Sequence, residues 1–125
     1  TRDAIPHFKL KVFDQLQAIV DNWHTADDDI ILLIQQNDRF HQLIYKVAKR
    51  SHLYNEIITL RNRTRHYLHA YIAEMGHFKS GKQEHQALID AFKLGNPTLA
   101  SDLIFEHVWD VGTSLANYVK QKEMP

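Results

Sequence analysis

The segment EHQALIDAFKLGNPTLASDLIFEHV, residues 84–108, predicts a helical hairpin. Its centre is the turn signal Gly95-Asn96-Pro97. Glycine suits the left-handed residue that ends a helix, asparagine caps the next helix, and proline fits the first helical position. His85 and His107 lie eleven residues before and after Asn96. Since a helix rises about 1.5 Å per residue, each histidine lies roughly 16 Å from the turn, and an antiparallel hairpin holds both at one level.

Helical periodicity continues through the rest of the chain, and no window keeps the alternation of a strand. The expected helices run over residues 5–23, 26–49, 51–77, 81–94 and 97–120. Thr25 and Ser51 are the expected caps of the second and third helices, and Ser80 with Gln83 fits a capping box before the fourth. Short loops favour antiparallel packing, so we predict an all-α bundle of five to six helices around a central cavity.

Composition excludes several classes of protein. Fifteen basic residues balance fifteen acidic ones among 125, which is not the footprint of a nucleic-acid binder. The absence of cysteine excludes disulfides and thiolate metal sites. The longest aliphatic run, residues 30–34, is too short to cross a membrane, and the first residues lack the apolar core of a signal peptide. We therefore expect a soluble, cytoplasmic domain that does not contact a membrane.

The histidines carry the first functional signal. His85 shares an apolar stripe with Leu88, Ile89 and Phe92, and His107 shares one with Ile104, Val111 and Leu115. On the second helix, Asn37 and His41 are four residues apart and lie on the stripe of Leu33 and Ile44. These stripes should face the bundle interior. Asn37, His41, His85 and His107 therefore form a candidate ligand set of three nitrogens and one oxygen, which suits zinc, nickel, cobalt, iron or manganese.

The simpler interpretation is that each histidine is a hydrogen-bonded core residue. It holds for most single histidines, but three on apolar stripes, two of them level across a hairpin, favour a metal site. The remaining histidines show no such convergence, and we interpret them as surface or capping residues: His7, His24, His52, His66, His69 and His77.

The third helix carries candidate effector ligands. Arg61 and Thr64 interrupt the apolar stripe that contains Ile57 and Leu68. A guanidinium at such a position can bind a carboxylate through two hydrogen bonds. Arg65 lies one turn further along and is the weaker candidate. The alternative is that Arg61 pairs with an acidic neighbour at the end of the bundle.

The order of motifs resembles a known family. N-D-R-F-H begins at Asn37, E-H-x-x-L-I-x-A-F at Glu84, G-N-P-x-x-A at Gly95, and E-H at Glu106. With the 22-residue spacing of the last two histidines, this order is similar to the ligand-sensing C-terminal (FCD) domain of FadR-type GntR transcriptional regulators. The resemblance implies a divalent metal near the floor of a central cavity, a small carboxylate effector, and a homodimer that binds DNA through an N-terminal winged helix.

Two departures from the family pattern affect this prediction. The family usually places an aspartate four residues before the histidine of the F-H motif, whereas this chain has the uncharged Asn37. Asp38 is the alternative oxygen ligand, although its direction is about 100° away around the helix. The chain also begins where the family's second sensor helix would begin. We therefore expect residues 1–125 to be one effector-binding domain without the winged helix and the first sensor helix.

Three rival interpretations remain open. Three histidines with open coordination positions also activate water in metal hydrolases, but no general base is evident. Glu84 and Glu106 should each point about 100° away from the interior. A di-iron carboxylate bundle needs two Glu-x-x-His motifs, and this chain has one, at Glu74. A metal-free dimerisation module is the third rival. We predict a carboxylate sensor that uses zinc, nickel or manganese and is not an enzyme.

Overall fold

The computed structural model describes residues 9–23, 29–75 and 81–123, which form five helices and no strand. The helices are α1 (Leu10–Asp21), α2 (Ile30–Val47), α3 (Ser51–Met75), α4 (Gly81–Leu94) and α5 (Pro97–Glu123). The predicted all-α bundle is confirmed. Predicted features at Thr25, at Ser80 and at the first helical turn from residue 5 lie outside the described residues.

The hairpin of α4 and α5 forms through the predicted turn. Gly95 has a positive φ of 67°, the left-handed conformation that ends α4. The Asn96 side-chain oxygen accepts a hydrogen bond from the backbone N–H of Leu99 at 3.1 Å, so it caps α5. Pro97 is the first residue of α5. This turn sets the level of every residue on α5 relative to α4.

One predicted helix start and one predicted cap are wrong. Asp29 has extended backbone angles, and its carboxylate accepts a hydrogen bond from Leu32 N at 3.1 Å. Because Asp29 is the cap, α2 begins at Ile30 and not at residue 26. Ser51 is the first residue of α3 and not its cap. The chain turns sharply before it, at Lys49, whose φ is 57°.

The larger core cluster lies between α1, α2, α4 and the first turns of α5. It consists of Leu16, Ile19, Val20, Phe40, Ile44, Leu88, Ile89, Ala91, Phe92, Ala100 and Ile104. Aliphatic residues at three- and four-residue spacings bury one face of each helix, and this burial is the main force that holds the bundle together.

A second, smaller cluster joins α3 to α2 and to the later turns of α5. Leu68 and Leu115 both pack against it, and the rings of Tyr71 and Tyr118 lie 5.5 Å apart between centroids. The Tyr71–Tyr118 ring pair and the Glu74–Lys122 ion pair are 47 and 48 residues apart in sequence, so α3 and α5 run parallel. The Tyr118 hydroxyl also donates to a Glu74 carboxylate oxygen at 2.6 Å. The two helices are therefore joined near their C-terminal ends.

None of the described helices combines the length and the apolar character needed to cross a membrane.

Candidate metal and effector site

Three histidines from three helices converge at the centre of the bundle. His41 lies on α2, His85 on α4 and His107 on α5. One ring nitrogen from each lies within 4.8 Å of the other two. The ring centroids are 4.8 Å apart for His85 and His107, 5.3 Å for His41 and His85, and 5.4 Å for His41 and His107. The hairpin turn and the apolar stripes produce this arrangement.

Aromatic residues enclose the cluster and remove it from water. The Trp23 ring lies 4.4 Å from that of His85, and the Phe40 ring contacts His85 edge-on at 4.7 Å. Burial is the main reason that the pKa of His85 is lowered from 6.5 to about 4. Burial, together with the nearby Arg61 charge, lowers the pKa of His41 well below 6.5. Both imidazoles are thus neutral at pH 7, the form that binds metal.

Hydrogen bonds fix the orientation of two of the rings. His85 Nδ1–H donates to the backbone carbonyl of Gly81 at 2.6 Å, which leaves the lone pair on Nε2. His107 Nδ1 lies 2.9 Å from the Glu84 carboxylate oxygen Oε2, which can only accept. A carbonyl or carboxylate bound to the outer ring nitrogen is the usual partner of a metal-binding histidine, because it sets the tautomer.

The inner atoms of the cluster fit a cation. His85 Nε2 lies 2.9 Å from Asn37 Oδ1. Both atoms present lone pairs, so the contact needs either a positive ion between them or an amide turned to donate from its nitrogen. Two ligands about 2.1 Å from one ion and at about 90° to each other, as in octahedral coordination, lie about 3 Å apart, which is close to this distance. His41 Nδ1 is buried and has no hydrogen-bond partner among the described residues.

A cavity of about 560 Å³ opens beside the histidines, between α3 and α5. Asn37, His41 and His107 line it, whereas His85 lies behind them. All three predicted effector ligands also line it: Arg61, Thr64 and Arg65. The volume lies within the range of small-molecule sites. The structure thus places one end of a ligand-sized cavity against the histidine cluster.

The two arginines share an acidic partner in this cavity. Arg61 donates from Nε and Nη2 to Asp38 Oδ1 at 3.1 and 2.7 Å, and Arg65 Nη2 donates to Asp38 Oδ2 at 2.6 Å. The alternative left open by the sequence, an acidic neighbour for Arg61, therefore describes the structure. The Thr64 hydroxyl donates to the backbone carbonyl of Arg61 at 3.1 Å. Asp38 is turned towards the arginines, while Asn37 reaches the histidine cluster.

Glu84 points away from the interior and is exposed, as predicted, yet its carboxylate still contacts a cluster histidine. Its Cα direction is offset from that of His85, but α4 and α5 pack side by side, so the carboxylate reaches His107 on the neighbouring helix. Glu106 is exposed. Sequence reasoning also missed Trp23, which encloses His85 from the end of α1. Neither residue shows a periodic signal, because each acts across an interface between helices.

The chain matches a known protein family over most of its length. The profile of the FCD domain matches residues 1–109. The chain belongs to the FCD domain family. This family is the C-terminal ligand-sensing domain of GntR-family regulators, so the resemblance seen in the sequence is confirmed at the level of the family. Comparisons with curated proteins and with solved structures yield no significant match.

The matched part of this FCD domain contains the whole histidine cluster, together with Arg61, Thr64 and Arg65. The match ends within α5 at residue 109, after His107 and Val108, the first two residues of this helix that line the cavity. The rest of that wall lies beyond the match: Val111, Gly112, Leu115, Ala116, Val119 and Lys120. The central cluster therefore belongs to the family match, whereas much of the α5 wall does not.

Proposed function

We propose that this FCD domain senses a small organic acid through a divalent metal ion held by Asn37, His41, His85 and His107. The observation that carries the proposal is the convergence of three histidine nitrogens within 4.8 Å at the wall of a 560 Å³ cavity. Such a pocket, with a few convergent polar groups, is the arrangement expected of a ligand site. The family supports a role in transcription regulation and not in catalysis.

The ligand set supports zinc, nickel or manganese. Imidazole suits zinc and nickel, and an amide oxygen is accepted by manganese as well. A bound divalent ion supplies a positive centre with open coordination positions for carboxylate oxygens. Asn37 is uncharged, so it does not neutralise any of the ion's positive charge, as an aspartate at the same position would.

The arginines support an anionic effector at the same cavity. Arg61 and Arg65 carry two positive charges against the single negative charge of Asp38. The contacts with Asp38 engage two of the five N–H donors of Arg61, so its guanidinium retains donors for a second carboxylate. Thr64 lines the cavity one turn after Arg61 and next to Arg65 in the sequence.

Linkage explains how such a site would control DNA binding. An acid bound between α3 and α5 stabilises one arrangement of these helices relative to another, and that preference biases an attached DNA-binding domain. Such regulators act on two half-sites, so we propose a homodimer whose DNA contacts come from a winged-helix domain. Control of DNA by a metabolite also implies a cytoplasmic protein.

A thermal-shift screen of small organic acids tests the proposal, run on protein purified without added metal, with and without chelator. Saturable stabilisation that the chelator abolishes is the expected result. Elemental analysis should show that His85→Ala and His107→Ala lose the metal, whereas His52→Ala, an exposed histidine at the start of α3, retains it. Equal metal content in all three variants would contradict the metal site. Turnover of an ester or phosphate would contradict the sensor.

A further inference from the structure

We infer that the effector is a monocarboxylate with an apolar body, such as a short alkyl or aromatic acid. Polyhydroxylated acids and acids with several carboxylates fit the cavity less well. The inference rests on the proposed function and specifies the chemical class of the ligand. It follows from how the polar and apolar residues of the cavity are distributed.

Five of the polar residues that line the cavity lie at one end of it. Asn37, Asp38 and His41 come from successive turns of α2, and Arg61 and His107 face them from α3 and α5. In the parallel register of these helices, with residues 47 apart side by side, Arg61 is level with Val108, one residue beyond His107. A carboxylate that enters the cavity therefore finds its partners at this end.

Asp38 limits the number of carboxylates that the two arginines accept. Asp38 is 7% exposed and binds both arginines, so the three residues together carry one net positive charge. A second carboxylate on the same ligand would lie beside the buried Asp38 or against the apolar wall. Either position costs affinity, because like charges repel and a buried charge needs a partner.

The wall that leads away from the polar end is apolar. Between Val108 and Val119, α5 contributes only residues without side-chain polar atoms: Val108, Val111, Gly112, Leu115, Ala116 and Val119. Opposite them, α2 contributes Ile34, and α3 contributes Leu60 and Leu68 beside the polar side chains of Thr64, Arg65 and Tyr67. From Val108 to Leu115 this wall is about 10 Å long, since a helix rises about 1.5 Å per residue. It has the length of a short alkyl chain or an aromatic ring.

Few groups along this wall would satisfy the hydroxyls of a sugar acid. The Thr64 hydroxyl already donates to backbone carbonyls within its own helix. Lys120 is exposed and lies about 20 Å along α5 from His107, too far for a small diacid to reach both. Hydroxyls placed against the apolar wall would lose their hydrogen bonds to water without replacement.

Isothermal titration calorimetry of the metal-loaded domain tests the inference. The probes are acetate, butyrate and hexanoate, with succinate, citrate and gluconate as polar comparisons. Affinity should rise about threefold to fourfold for each added methylene, so that hexanoate binds on the order of a hundredfold more tightly than acetate. Succinate, citrate and gluconate should each bind more weakly than hexanoate.

Two variants assign the effects to the residues named. Val111→Asn should reduce the ratio of hexanoate to acetate affinity by at least about tenfold, because it places an amide in the apolar wall. The control, Phe105→Asn, changes an exposed apolar residue of the same helix that does not line this cavity, and the ratio should stay unchanged. Asp38→Asn should raise the affinity for succinate relative to butyrate.

The outcomes separate this inference from the proposed function. If citrate or gluconate binds as tightly as hexanoate, and the chelator abolishes that binding, the sensor stands and the apolar class is wrong. If hexanoate and acetate bind equally, or if Val111→Asn leaves their ratio unchanged, the apolar wall does not select the ligand. If none of the six acids binds, the apolar class is wrong, and the wider thermal-shift screen decides the proposed function.

Discussion

The Nδ1 atom of His107 and the Oε2 atom of Glu84 lie 2.9 Å apart across the α4–α5 hairpin. The carboxylate is half-exposed, whereas the histidine side chain is 7% exposed. Glu84 therefore holds the His107 ring from the solvent side while the other ring nitrogen remains available to the cluster. This places a positioning residue next to His85 in sequence and against His107 in space.

Replacement of Glu84 should weaken metal binding without removing a metal ligand. We expect Glu84→Gln to lower the metal affinity by about 10- to 100-fold, because the amide holds the His107 tautomer less firmly than the carboxylate does. Competition with a metal-sensitive dye measures the change. Glu106→Gln is the matched control, since Glu106 is exposed and also precedes a cluster histidine. Equal effects of the two variants would contradict the role assigned to Glu84.

Removal of metal should destabilise the domain. A ligand present at about 100 times its Kd stabilises the folded state by about 2.7 kcal/mol, which corresponds to a Tm shift on the order of 10 °C for a domain of this size. Differential scanning calorimetry with and without chelator measures the shift. The His41→Ala variant, which lacks one proposed ligand, should respond little. A chelator response that is the same in both proteins would argue against metal at the histidine cluster.

The chelator-treated domain should lose stability in acid. The pKa of His85 is lowered to about 4 and that of His41 also lies well below 6.5, mainly through burial. Below pH 6.5 the unfolded chain takes up protons that the folded chain does not, so the free energy of unfolding falls as the pH drops towards 4. His85 alone contributes roughly 2–3 kcal/mol across this window.

Urea denaturation at several pH values measures that loss. The His85→Gln variant is the control, because its free energy of unfolding should depend less on pH between about 6.5 and 4. A wild-type profile that is flat over this interval would show that the buried imidazoles are not held neutral.

Loss of the Asp38 carboxylate should destabilise the bundle through the arginines. Arg61 is 23% exposed and Arg65 is 49% exposed, so solvent screens only part of the uncompensated charge in Asp38→Ala. We expect a cost of about 2 kcal/mol in the free energy of unfolding, the range for hydrogen bonds to charged groups. Asp110→Ala, at an exposed position of α5, should cost less than about 0.5 kcal/mol. A double-mutant cycle with Arg61→Met then measures the coupling of the pair.

The convergence of the histidines was predictable because it depends on two local rules. Residues three and four apart share a helix face, and a Gly-Asn-Pro turn fixes how two helices align. His85 and His107 follow from these rules directly. Asn37 and His41 follow once the apolar stripe of α2 is assigned to the interior.

The partners of the charged residues were not predictable in this way. Asp38 binds Arg61 and Arg65 only because α2 and α3 pack with those turns in contact, which the separate periodicity of each helix does not specify. Glu84 reaches His107 because its side chain spans the groove between two helices. Long side chains at the edge of a stripe contact neighbours that a single-helix projection leaves out.

The cluster that would hold the metal ion carries no charge of its own. Asn37 is an amide, and burial keeps His41 and His85 uncharged. In the proposed complex, no protein ligand neutralises the charge of the ion, so the ion and the acid should each bind more tightly when the other is bound. DNA binding by the regulator would then depend on the concentrations of both the metal ion and the acid. A cell short of metal would not respond to the acid.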